Sequence, residues 1–85
     1  MKHIEKVRKA YVLCSIDNTG KTCYLRSLHE PGKWEITTNI EEATKYATSG
    51  AADLSYDFYQ RELGSDAGVF VKIPLEIEYR LIKEE

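Results

Sequence analysis

Val69-Phe70-Val71-Lys72-Ile73-Pro74-Leu75-Glu76-Ile77-Glu78-Tyr79-Arg80-Leu81 is the stretch that decides the fold. Val69, Val71, Ile73, Leu75, Ile77, Tyr79 and Leu81 share one parity, while Lys72, Pro74, Glu76, Glu78 and Arg80 hold most of the other. Successive side chains of a strand point to opposite faces, so this alternation is that of a long half-buried strand, or two collinear ones. Its apolar residues are expected to turn inward and its charged ones outward, as antiparallel sheets permit. Pro74 has no N–H for a ladder, which implies an edge position or a bulge that bends the strand midway, and a break is expected there.

Working back along the chain, Ala10 to Ile16 and Thr22 to Leu28 are both rich in β-formers. Between them Asp17-Asn18-Thr19-Gly20 supplies residues that bond their own backbone and one that takes a positive φ, so the two runs form an antiparallel hairpin. Pro31-Gly32 marks a second reversal. Trp34-Glu35-Ile36-Thr37 then reads as a short third strand with Trp34 and Ile36 on one face.

Two short helices are expected before the last strand. Thr38 and Glu41 have the capping-box spacing, with Asn39 and Glu42 as the alternative one residue on. Ile40, Ala43, Thr44 and Ala47 follow at i, i+3, i+4 and i+7, one helical stripe. Ser49-Gly50 interrupts it, and Ser49 is placed to cap a second helix from about Ala51 to Leu63, with Asp53 in its first turn and Gly64 as its left-handed end. Ala51, Leu54, Phe58 and Tyr59 form its expected inner face. The order ββ(β)ααβ gives an α+β fold: an antiparallel sheet of three to four strands with two short helices packed on one face.

A chain of 85 residues has room for one core, so residues 1–85 are read as one domain. The opening Met1-Lys2-His3-Ile4-Glu5-Lys6 lacks the apolar run of a signal peptide, and no stretch approaches a membrane span, so a cytoplasmic location is expected. Two cysteines are too few to staple a secreted mini-protein, and reduced thiols follow. A two-residue turn would set Cys14 opposite Cys23 across the hairpin; a three-residue turn ending at Gly20 would not. Core packing is the better reading for both.

No constellation of catalytic residues assembles. His3 and His29 are the only histidines and have no metal-ligand spacing, so neither metal nor cofactor is expected. His3 falls in a fraying terminus. His29-Glu30 sits in a turn without an evident nucleophile or oxyanion donor, and no glycine-rich phosphate loop exists. Asp53, Asp57 and Arg61 lie along one helix face as ordinary exposed charges.

Binding is therefore the expected activity. Net charge is −2, but residues 1–33 carry seven Lys and Arg against three acids, and residues 34–85 carry five against eleven. Aromatic residues bury much area with few rotors and are favoured at interfaces. Arg8, Arg26, Lys33, Trp34, Tyr46 and Tyr56 are the candidate contact residues for a protein partner, and an exposed strand edge offers a route to a homodimer. The alternative is a nucleic acid held by Lys2, Lys6, Arg8, Lys9, Lys21, Arg26 and Lys33 of the basic third, against which the net acidity counts.

Tyr24-Leu25-Arg26-Ser27, Trp34, Thr37-Thr38-Asn39-Ile40, Ala43, Tyr46 and the alternating last strand together resemble a loose pattern of small phage and prophage accessory proteins. It covers most of the chain and carries no catalytic residue. The resemblance implies a factor that acts by sticking to a host or phage macromolecule, as anti-defence inhibitors such as anti-CRISPR proteins do. The two adjacent helical segments depart from that pattern.

Overall fold

A computed structural model describes residues 3–28 and 33–81. The Pro31-Gly32 reversal and the His29-Glu30 pair lie outside the described residues. Strands β1 (His3–Ile16), β2 (Thr22–Ser27), β3 (Trp34–Thr37) and β4 (Val71–Leu81) form one antiparallel sheet in the order β3-β2-β1-β4. One helix, α1 (Ser49–Leu63), ends in a turn of 3-10 helix over Gly64–Asp66 and packs on one face of the sheet. The α+β class and the antiparallel sheet agree with the sequence reading; two helices do not.

The hairpin closes through the three-residue turn. Asp17 N–H donates to the Lys21 carbonyl and Gly20 N–H returns to the Asp17 carbonyl, with Gly20 at φ 82°. Asp17 Oδ1 accepts from the backbone N–H groups of Thr19 and Lys21 and from the Thr19 hydroxyl, which together fix the loop. In the resulting register Cys14 pairs with Tyr24 and Ser15 with Cys23, so the two thiols stand on opposite faces.

The expected first helix is absent. Residues 39–43 instead form consecutive tight turns: Asn39 Oδ1 accepts from Glu41 N–H, and the N–H groups of Glu42 and Ala43 return to the carbonyls of Asn39 and Ile40. Thr37, rather than Thr38, is the hydroxyl that accepts, from Asn39 N–H. The segment has a better use than helix. β1 and β2 part after the Cys14–Tyr24 pair, and Thr44 N–H donates to Leu25 carbonyl, Ser27 N–H to Thr44 Oγ1, while Tyr46 and Tyr11 exchange both backbone hydrogen bonds at 2.8 Å. Residues 44–46 thus fill the split and satisfy strand groups that would otherwise be buried unpaired, which outweighs a short helix of modest propensity.

α1 begins two residues earlier than predicted. Thr48, not Ser49, is its cap, with Oγ1 accepting from Ala51 N–H at 3.1 Å, and Gly64 at φ 54° ends it with its N–H on the Gln60 carbonyl. Asp53 accordingly lies beyond the first turn, where it accepts from Lys72 Nζ at 2.9 Å instead of meeting the helix dipole. Arg61 pairs with Asp57 at 2.9 Å, as an exposed i, i+4 pair.

The main core lies between α1 and the sheet: Leu13, Cys23, Leu25, Tyr59 and Phe70 are buried together, with Trp34, Tyr46, Tyr56 and Ala67 packed against them. Each buried leucine contributes about 1.5–3 kcal/mol relative to exposure. The face of β4 that meets this core is the opposite of the one predicted. Leu13 pairs with Lys72, and Lys72 reaches Asp53 and Ser49 on α1, so the even-numbered residues of β4 face the helix. Val71, Ile73, Leu75 and Ile77 pair with Cys14, Val12, Ala10 and Arg8 on the far face, where Val71 stays 56% and Ile73 43% exposed. Phe70 and Lys72 decide the matter, since the first completes the aromatic core and the second has an acid and a hydroxyl waiting on α1. The turns after β3 lie over the same far face, where Glu42 accepts from the Thr37 hydroxyl, and Ala10, Val12 and Ala43 are buried there.

β4 runs without a break at Pro74, the only register shift against β1 falling between Ile4 and Lys6. Tyr11, its partner, turns both backbone groups toward Tyr46, so Tyr11–Pro74 is a non-hydrogen-bonded pair and the proline nitrogen points to the outer edge. Of the two alternatives the edge position is the one found, and the expected break is absent. β1 is also longer than its β-forming run, because the charged residues from His3 pair with the end of β4, and His3 itself is opposite Leu81 instead of fraying. This ribbon draws the chain out to 53 × 29 × 21 Å, with a radius of gyration of 15.3 Å against about 12 Å for a compact chain of this length.

Candidate apolar groove

Of the inner face expected for α1, Tyr59 is buried as read, whereas Ala51, Leu54 and Phe58 are exposed. The buried row of the helix is Ala52, Ser55, Tyr56 and Tyr59, spaced i, i+3, i+4 and i+7. Tyrosines occupy it because their hydroxyls have work there. Tyr59 Oη accepts from Gly68 N–H at 2.8 Å, and Tyr56 Oη accepts from Phe70 N–H at 3.1 Å while donating to the Gly68 carbonyl at 3.4 Å. The rings pack as well as bond: Tyr59 meets Trp34 and Phe70 edge to face at 5.6 and 5.7 Å between centroids.

Leu54 and Phe58, 60% and 51% exposed, stand about a third of a turn or more round from that row, with Ala51 and Glu62 beside them. Together with Trp34, Tyr46, Ser27 and Ser55 they line an open groove of about 500 Å³. Tyr46 is held by a 2.6 Å hydrogen bond between its hydroxyl and Ser55 Oγ. Trp34 is held by packing alone, since its indole N–H is buried with no acceptor among the described residues. Such an unpaired donor is a local cost, of the kind tolerated where a residue serves a site.

The structure brings together two of the six residues singled out from sequence, Trp34 and Tyr46. Tyr56 is turned inward to anchor the Gly68–Phe70 backbone. Arg26 stands on the far face of the sheet, 3.3 Å from Glu35 and 3.9 Å from Glu42. Arg8 is on the ribbon opposite Ile77, and Lys33 precedes β3, where its carbonyl accepts from Leu28 N–H. Leu54, Phe58 and Glu62 were missed as surface residues. Their signal is the i, i+4, i+8 spacing, which competes with the tyrosine row and is the more apolar of the two in its first half.

The basic residues of the first third are spread rather than gathered. Lys6 and Arg8 share one face of the ribbon, Lys9 stands on the other opposite Glu76, and Arg26 is engaged by acids. Asp17 and Cys23 have displaced pKa values, and neither lines the groove. The hydrogen bonds from Thr19 and Lys21 hold the Asp17 carboxyl below its ordinary value, and burial pushes the Cys23 thiol up. Among the described residues no group of three or more His, Cys, Asp or Glu is placed to hold a metal, and no helix is long and apolar enough to cross a membrane. No protein-family model, curated protein or solved structure matches the chain.

Proposed function

We propose that this chain is a non-enzymatic protein-binding module whose groove takes an apolar segment of a partner. The observation that carries the reading is the exposure of Leu54 and Phe58 beside Trp34 and Tyr46. Large apolar side chains gathered round a concavity, with a rigid aromatic floor, are what binding surfaces supply and what a monomer's outer surface seldom needs. The resemblance to phage accessory proteins extends the proposal to an inhibitor that acts in the cytoplasm by occupying a host macromolecule. A nucleic-acid partner gains no support from the scattered basic residues.

Capture from lysate with the immobilised chain, run beside a Leu54→Ser/Phe58→Ser variant, tests the groove. The expected result is a stoichiometric protein partner retained by the wild type and lost by the variant. Equal retention by both, or no stoichiometric partner on the folded wild type, refutes the reading.

A further inference from the structure

We propose that the groove selects a basic side chain, so that the partner segment carries an arginine or lysine beside its large apolar residues; this rests on the binding reading above and deepens it. Three aromatic rings, Trp34, Tyr46 and Phe58, line the groove, and aromatic faces attract cations. Among the described residues of the lining Glu62 is the one carboxylate or cation, and no lysine or arginine is with it. The charge that the described lining presents to whatever enters is therefore negative.

The place of Glu62 strengthens the argument. It is the penultimate residue of α1, where the negative end of the helix dipole and the unpaired carbonyls disfavour an acid and favour a base. The helix does have a base in its last turn, Arg61, but that side chain is spent on Asp57 at 2.9 Å, stands about 100° from Glu62 around the helix and does not line the groove. Leu54, Phe58 and Glu62 follow one another at intervals of four along one row, so apolar surface grades into negative charge over two turns. A segment with an apolar residue and a cation a few ångströms apart matches that gradient. At about 500 Å³ the groove lies within the usual range of ligand pockets, about 300–1,000 Å³, and has room for a few side chains.

Phenethylguanidinium, an aromatic ring tethered to the arginine head group, and its neutral isostere phenethylurea are the probes. Each is titrated into the ¹⁵N-labelled full chain, wild type and Glu62→Gln, at about 0.15 M salt, a level at which long-range attraction is screened. Glu62 is exposed, so the variant keeps its fold, which its own amide spectrum checks. The expected result is shifts at the Trp34 indole N–H and the amides of residues 51–62, with the guanidinium bound about three- to tenfold more tightly than the urea. In Glu62→Gln that preference falls to within about twofold. Equal binding of the two probes to the wild type overturns the cation preference while leaving an apolar binding groove intact. A preference that survives Glu62→Gln, or no groove shift with either probe, overturns it too, and the partner capture with Leu54→Ser/Phe58→Ser then judges the binding reading separately.

Discussion

At the scale of single residues, the tyrosines of α1 show how polar atoms select which face of a helix is buried. Tyr59 is 3% exposed, and its hydroxyl is the acceptor for the Gly68 N–H. Tyr59→Phe keeps the ring contacts with Trp34 and Phe70 and removes that acceptor, so it is expected to cost about 1–3 kcal/mol in urea unfolding. A loss below about 0.5 kcal/mol would show that the Gly68 amide finds water instead. Asp17 makes a second residue-level prediction. Its folded pKa is depressed by hydrogen bonds from Thr19 and Lys21, so its stabilisation is complete above the ordinary carboxylate range and is lost as pH falls through the folded value. Asp17→Ala should lower Tm at neutral pH, and the gap to wild type should close in melts as pH falls below the ordinary carboxylate range. A gap independent of pH would mean that the side chain acts by shape. The turn itself was legible, because Asp, Asn and Gly have strong local preferences; which of two turn lengths it takes, and hence that Cys14 and Cys23 lie on opposite faces, is fixed only by the hydrogen bonds of Asp17 and Gly20.

At the scale of elements, the strands and the second helix were readable and the faces were not. Periodicity identified β2, β3, β4 and α1 because alternation and helical spacing are properties of the segment alone. Which side of an amphipathic element meets the core depends on its neighbours: of the four inner-face residues expected for α1 only Tyr59 is buried, and the apolar row of β4 lies on the face of the sheet away from α1. Each element has a more apolar row, Leu54 and Phe58 or Val71 to Ile77, and each turns toward the helix–sheet core those residues of its other row that have polar partners there: the Gly68–Phe70 backbone for the tyrosines, Asp53 and Ser49 for Lys72, while Leu75 and Ile77 are half-buried on the far face and Pro74, Glu76 and Glu78 stay exposed. Residues 38–48 failed differently, since their capping and spacing signals were genuine but the gap between β1 and β2 claimed their backbone groups. The two faces of α1 can be told apart by substitution. Ala52 is fully buried, and Ala52→Leu is expected to destabilise by about 1–3 kcal/mol through overpacking, whereas Leu54→Ser should stay within about 0.5 kcal/mol. The reverse order in chemical unfolding would restore the face first read from sequence.

For the whole molecule, the sheet ends in an eleven-residue edge strand whose far face is apolar, a combination that invites pairing with another chain. The outward backbone groups are those of the even-numbered residues, since Tyr11 opposite Pro74 turns its own toward Tyr46 and hydrogen-bonded pairs alternate along the ladder. Lys72, Pro74, Glu76 and Glu78 are thus the residues an incoming strand would meet. Three carry charge, and the fourth presents a ring carbon where a donor is needed, near the middle of the strand. Self-association through this edge, attractive from the sequence because the strand is long and alternating, is opposed by the position of Pro74 that the backbone pairing reveals. Pro74→Val removes the obstruction, restores the missing N–H and leaves the pairing with β1 as it is, because the proline nitrogen takes no part in that ladder. The variant is expected to keep the wild-type circular dichroism spectrum and a stability within about 1 kcal/mol, yet to shift to higher mass than wild type in light scattering as concentration rises. Identical mass for the two proteins across that range would mean that the charges of Lys72, Glu76 and Glu78 guard the edge unaided.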